Sequence, residues 1–181
     1  ESRPRPIPVY AEMGSINPMF ITEGAIERRF ESLAEELVNS ITLGVGQFCT
    51  KPGVIFIPDV LRAQMFVNRV AVLMEKRPPG ILLNGRIRKN LVHAVEQSLR
   101  IPEVKLLTGG KAVDDATAFE NTVMVTDAAT FLKHSELQQE HFGPVVLFVF
   151  CENADEMRKI AARLPGQLTG SIYACLLYTS P

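Results

Sequence analysis

Cysteine is rare in this sequence, neither charge sign is in excess, and no apolar run is long. The 181 residues carry 19 Lys and Arg against 20 Asp and Glu, a net charge of −1. Such a balance gives no field that draws in nucleic acid or an anionic lipid surface. The longest apolar runs, such as Val145-Val146-Leu147-Phe148-Val149-Phe150, are far too short to span a bilayer. The opening Glu1-Ser2-Arg3-Pro4-Arg5-Pro6 has no apolar stretch of secretory-signal length. With three cysteines, no C-x-x-C pair and no Cys/His ligand spacing, neither a disulfide framework nor a metal site is expected. That usage fits a reducing, cytoplasmic setting.

What is present is ordinary globular composition, 46% hydrophobic and 22% charged, in a length that suits one compact domain. The two ends stand apart. The chain does not begin with Met and opens on a Pro-rich extended stretch (Pro4, Pro6, Pro8) that leads straight into a motif, as a piece entered mid-protein would. The closing Cys175-Leu176-Leu177-Tyr178-Thr179-Ser180-Pro181 matches one reading frame of a widely used transposase sequencing adapter. It is set aside as a non-native tail.

Between the ends, strand and helix patterns alternate. Residues 19–21 form a short apolar run after the Asn17-Pro18 turn. Phe30, Leu33, Ala34, Leu37, Val38 and Ile41 then recur at helical spacing, with Glu27, Arg28, Glu31, Glu35 and Glu36 on the opposite face. Gly44 and Gly46 end that helix. Residues 54–57 read as a buried strand stopped by Pro58, and Asp59 as the cap of a helix reaching about Lys76. Further helices are expected over 86–99 and 154–164, and strands over 104–107, 122–126, 145–150 and 171–174, with Asp127 capping a short helix. Six consecutive apolar residues at 145–150 imply burial on both faces. The pattern predicts an α/β fold with a mostly parallel sheet flanked by helices, and no internal repeat.

The chemistry centres on Gly46-Gln47-Phe48-Cys49-Thr50. A lone cysteine is more often buried and inert than reactive. A thiol just past a long helix, in a Gly-flanked loop, is instead placed to approach a substrate carbonyl. A thiolate suits aldehyde oxidation: it adds to the carbonyl, the alkoxide expels hydride, and a thioester remains. His93, His134 and His141 are scattered and suggest no triad, so they are read as surface or packing residues. Gly109-Gly110 lacks the context of a phosphate-binding loop.

Three segments carry a family resemblance. Gly46-Gln47-Phe48-Cys49 resembles the G-Q-x-C cysteine signature of the aldehyde dehydrogenase superfamily. Glu12-Met13-Gly14-Ser15-Ile16-Asn17-Pro18 resembles its glutamate signature, E-L-G-G-x-x-P, departing from it at Met13 and Ser15. Glu140-His141-Phe142-Gly143-Pro144 resembles the third motif, E-x-F-G-P. Each is short, but they stand in the family's order with fitting gaps.

The resemblance implies the aldehyde dehydrogenase catalytic domain, truncated at both ends. Residues 1–18 would be a linker from an absent cofactor-binding domain, 19–174 the catalytic domain, and 175–181 the foreign tail. It further implies that Cys49 is the nucleophile and Glu12 the general base for thioester hydrolysis. Glu140 would hold the nicotinamide ribose, and Phe142 would pack near the nicotinamide ring. On residue type alone, Glu12 and Glu140 could be solvated carboxylates and Phe142 a core residue. The segments around residues 7–18 and 44–53 are similar to the NADP-preferring branch that holds α-ketoglutarate semialdehyde dehydrogenases and a fatty-aldehyde relative. The implied reaction is oxidation of an aldehyde, α-ketoglutarate semialdehyde foremost, with NADP or NAD. A fatty-aldehyde dehydrogenase and a non-catalytic descendant of the fold stand as alternatives. The full-length protein would be a homo-oligomer, and the isolated fragment inactive.

Overall fold

The computed structural model describes residues 8, 14–113 and 117–174. Glu12 and the 175–181 tail lie outside the described residues. The described residues form eight strands and five α-helices: β1 (Met19–Ile21), α1 (Glu23–Thr42), β2 (Val54–Pro58), α2 (Leu61–Glu75), β3 (Gly80–Ile81), α3 (Gly85–Leu99), β4 (Lys105–Thr108), β5 (Ala118–Phe119), β6 (Thr122–Asp127), α4 (Ala128–Lys133), β7 (Val145–Cys151), α5 (Ala154–Ala161) and β8 (Ser171–Tyr173). Six strands form one sheet in the order β4-β6-β7-β2-β1-β8. Only the β4–β6 pairing is antiparallel; the others are parallel.

Burial on both faces follows from strand alternation. Ile55, Ile57, Val146 and Phe148 point into one cluster, filled by Leu33, Leu37, Val38 and Ile41 of α1 and Phe66, Val67 and Val70 of α2. Their neighbours Val54, Phe56, Val145, Leu147 and Val149 point into the other, with Leu91 and Val95 of α3, Phe131 of α4 and Met157 and Ile160 of α5. The sheet is therefore covered on both sides by helices, as parallel sheets require.

Several boundaries differ from the sequence pattern for identifiable reasons. α1 starts at Glu23, ahead of Phe30, because Ala25 and Ile26 are also buried, and a non-helical Arg29 kinks the helix between the two parts. Asp59 does not cap α2. Its amide donates to Cys151 O (2.7 Å), continuing the β2–β7 ladder, and its carboxylate accepts from the Gln64 side chain instead. Asp127 caps α4 as expected, accepting from the Thr130 amide at 2.8 Å. The small β3–β5 pair had no signal, since two-residue strands carry no periodicity.

Candidate active site

Because β1, β2, β7 and β8 are linked through parallel pairings, the segments entering them converge on one edge of the sheet. These are residues 14–18, 43–53, 138–144 and 165–170, which include the described parts of all three motifs. The site thus sits at the amino ends of the strands, opposite the carboxyl-end crevice usual for open α/β sheets.

The cysteine loop begins with a strained turn. Gly44, Val45 and Gly46 all have positive φ (55°, 59° and 66°), a conformation that a β-branched valine adopts only when its surroundings enforce it. Val45 packs against the cluster beneath α3. Gly46 lies so close to the Gly143 carbonyl and Pro144 nitrogen that a β-carbon there would collide with backbone. Gln47 is structural: its Oε1 accepts from the Leu83 amide at 2.9 Å. Cys49 then emerges as an exposed free thiol.

Asn17 fixes the thiol loop from behind. It is buried and left-handed, with φ 44°. Its Nδ2 donates to Cys49 O (2.7 Å) and Lys51 O (2.9 Å). Its Oδ1 accepts from Thr169 Oγ1 (3.0 Å) and the Thr169 amide (3.3 Å). Ser15 Oγ, with a single proton to give, lies 2.9 Å from Asn17 Oδ1 and 3.0 Å from Gln167 Oε1. The Ile16 amide also donates to Gln167 Oε1, at 2.8 Å. A satisfied buried polar network of this kind rigidifies the loops it joins. Neither Asn17 nor Gln167 was singled out by the sequence pattern; an Asn before a Pro reads simply as a turn.

Glu140 is half-buried and lines a cleft of about 480 Å³ together with Gly14, Ser15 and Gln167. A β-carbon on Gly14 would stand 3.3 Å from Glu140 Oε2, so the first motif's glycine lets backbone approach the third motif's carboxylate. Phe142 is half-buried rather than core. With Glu140 and the α3 residues Ile87, Leu91 and Ala94 it lines a second pocket of about 210 Å³. Glu140 and Phe142 thus share a pocket, whereas Cys49 lines neither cleft.

His141, between them, faces inward. It is buried, with Nε2 3.0 Å from Ser98 Oγ on α3. Burial first, then the Lys51 charge, pushes its pKa down to about 4, partly offset by backbone groups of Ala94 and Gln139. The fold favours the neutral ring, so the contribution of His141 to stability is full above pH 6.5 and is lost as pH falls from there through 4. The expected loss is about 3 kcal/mol by pH 4. Denaturant titrations at pH 7 and pH 4 should show it, and His141→Gln should lessen it. Parallel pH curves for the two proteins would assign the acid loss elsewhere.

Lys51 was missed by the sequence pattern. It is buried, and its ammonium donates to Val145 O (2.7 Å) and His141 O (3.0 Å). Burial pushes its pKa down to about 8, with Glu140 opposing the shift. The remaining described cysteine, Cys151, is buried; burial and then Glu156 push its thiol up to about 12. Among the described residues no group of three His, Cys, Asp or Glu side chains is placed to hold a metal ion. No helix among them is long and apolar enough to cross a membrane.

The aldehyde dehydrogenase family model matches residues 3–177. α-Ketoglutaric semialdehyde dehydrogenase 2 of Azospirillum brasilense is 34% identical over 171 residues, covering 94% of this chain and 33% of that protein. The α-ketoglutaric semialdehyde dehydrogenase of Acinetobacter baylyi is 30% identical, covering 96% and 33%. The fold is shared with lactaldehyde dehydrogenase of Escherichia coli, with a TM-score of 0.76 at 23% identity over 92% of this chain and 36% of that one. The chain spans about a third of the length of the curated relatives it matches. On the family match across nearly its whole length, the chain belongs to the aldehyde dehydrogenase family.

Proposed function

We propose that this chain supplies the thiol-bearing part of an NAD(P)-dependent aldehyde dehydrogenase, with Cys49 as nucleophile and Glu12 as the base that deacylates it. The observation that carries the reading is the exposed Cys49 thiol on a loop locked by Asn17, at the sheet edge where Glu140 and Phe142 line adjoining clefts. In this reading residues 19–174 are the catalytic domain, 1–18 lead into it from a cofactor-binding domain, and 175–181 have no role.

The thiolate of Cys49 adds to the aldehyde carbon, and collapse of the resulting alkoxide leaves an acyl group on sulfur. A bound nicotinamide would supply the acceptor for the hydride lost in that collapse. Glu140 suits the ribose diol, since a carboxylate offers two acceptor oxygens, and the missing side chain of Gly14 adds no β-carbon against it. Phe142 offers an apolar wall on the pocket shared with Glu140. Glu12 then takes a proton from water as it attacks the thioester, releasing the acid and restoring the thiol. The named relatives favour α-ketoglutarate semialdehyde as substrate, and the acceptor in this reading is NADP or NAD, as the motif resemblance implies.

Glu12→Gln in the complete enzyme tests the division of labour. The expected result is a nucleotide-reduction burst of about one equivalent per site, followed by turnover at least about 100-fold slower, with the acyl group found on Cys49 by peptide mass spectrometry. Full steady-state turnover in Glu12→Gln would move the base role to another group. A burst without acylated Cys49 would sink the nucleophile assignment.

A further inference from the structure

A buried ammonium is expensive unless it is paired and hydrogen-bonded, and Lys51 is 3% exposed. An apolar side chain would fill its place in the core lead-in at lower cost, so the position of its two acceptors matters. His141 O and Val145 O bracket the Phe142-Gly143-Pro144 turn, immediately after Glu140. The other end of Lys51 belongs to the cysteine loop. Its amide donates to Phe48 O at 3.1 Å, and its carbonyl and that of Cys49 are held by the same Asn17 amide group. One side chain therefore ties both ends of the Phe142 turn to a residue two positions from the thiol.

We propose that Lys51 is a positioning residue, a brace that sets the separation between the Cys49 thiol and the Glu140–Phe142 face of the site. The proposal rests on the dehydrogenase reading above. Hydride release needs the thiol-bound carbon held at near-contact distance from its acceptor, and a misplacement of about 1 Å can cost on the order of 100-fold in rate. Charge-assisted bonds from an ammonium are stronger and shorter than neutral ones. Two such bonds to backbone fix the turn more tightly than packing alone. The contact of Gly46 with Gly143 joins the same two loops, so the brace acts on a joint that is already closed at one point.

The test compares Lys51→Met with the unchanged complete enzyme by two readouts: the pre-steady-state rate of nucleotide reduction, and the rate of Cys49 alkylation by iodoacetamide without nucleotide. The expected result is a burst rate about 100-fold lower with alkylation within about threefold of the parent, because the thiol stays exposed while its alignment is lost. A burst rate within about threefold of the parent overturns the brace. Cys49→Ala, run alongside, separates the two levels: a burst that persists there overturns the reading of Cys49 as nucleophile on which the brace rests.

If Lys51→Met does not fold, the unchanged enzyme decides through its pH dependence. Glu140 and His141 are the titrating groups that interact with Lys51 among the described residues, and His141 is already neutral above pH 6.5. As Lys51 loses its proton near pH 8 the charge-assisted bonds weaken. The burst rate divided by the alkylation rate, which removes the titration of the Cys49 thiol itself, should fall at least about tenfold between pH 7 and 9.5. A flat ratio overturns the proposal.

Discussion

Cys49→Ala is expected to abolish aldehyde oxidation, lowering kcat by at least about 10⁴-fold, as removal of a covalent nucleophile does elsewhere. Hydride cannot leave an aldehyde carbon readily, because that carbon bears no electron-rich oxygen until a nucleophile has added. The thiolate supplies the addition, and among the described residues no second thiol can substitute. Cys151 is on β7, buried, with a pKa raised to about 12, so almost none is thiolate at neutral pH. The paired control is Cys151→Ser, which should leave kcat within about threefold while lowering stability slightly. Nucleotide reduction followed spectroscopically decides both. Substantial activity in Cys49→Ala would place the nucleophile elsewhere.

The architecture was legible because the strongest signals were also the most buried ones. The run at 145–150 reads as a strand covered on both faces, and β7 lies in the interior of the sheet between β6 and β2. Helix periodicity located α1, α2 and α3, yet the caps were less reliable, since a capping residue can be claimed by a neighbouring strand, as Asp59 is by Cys151. The site was legible only as far as residue type advertises chemistry. Cys49, Glu140 and Phe142 are conspicuous within their motifs. Asn17, Lys51 and Gln167 act through contacts made across long sequence separations, and these have no local pattern. In retrospect Lys51 had one weak signal: a lysine directly before Pro52-Gly53 and a fully apolar strand is a costly residue to carry inward. His141, one of three histidines read as surface or packing residues, is buried, and its inward turn leaves its two neighbours lining the pocket.

Gly46→Ala should be among the most damaging glycine-to-alanine changes at the described residues. The first contribution is conformational: φ of 66° is left-handed, costing an L-residue with a β-carbon about 1–2 kcal/mol. The second is steric and larger in consequence. The added carbon would meet the Gly143 carbonyl and Pro144 nitrogen, which are backbone and cannot rotate aside. Forced overpacking of this kind costs typically about 1–3 kcal/mol, so the sum is about 2–5 kcal/mol. Relief can come only by separating the cysteine loop from the turn that carries Phe142. Whatever stability survives, alignment between thiol and acceptor should not, and activity should fall further than the melting temperature suggests. Denaturant unfolding and the nucleotide-reduction burst, measured on the same preparation of the complete enzyme, distinguish the two losses. A Gly46→Ala enzyme within about 0.5 kcal/mol of the parent, with a normal burst, would mean that the two loops are not in backbone contact and that the G-Q-x-C glycine has another purpose.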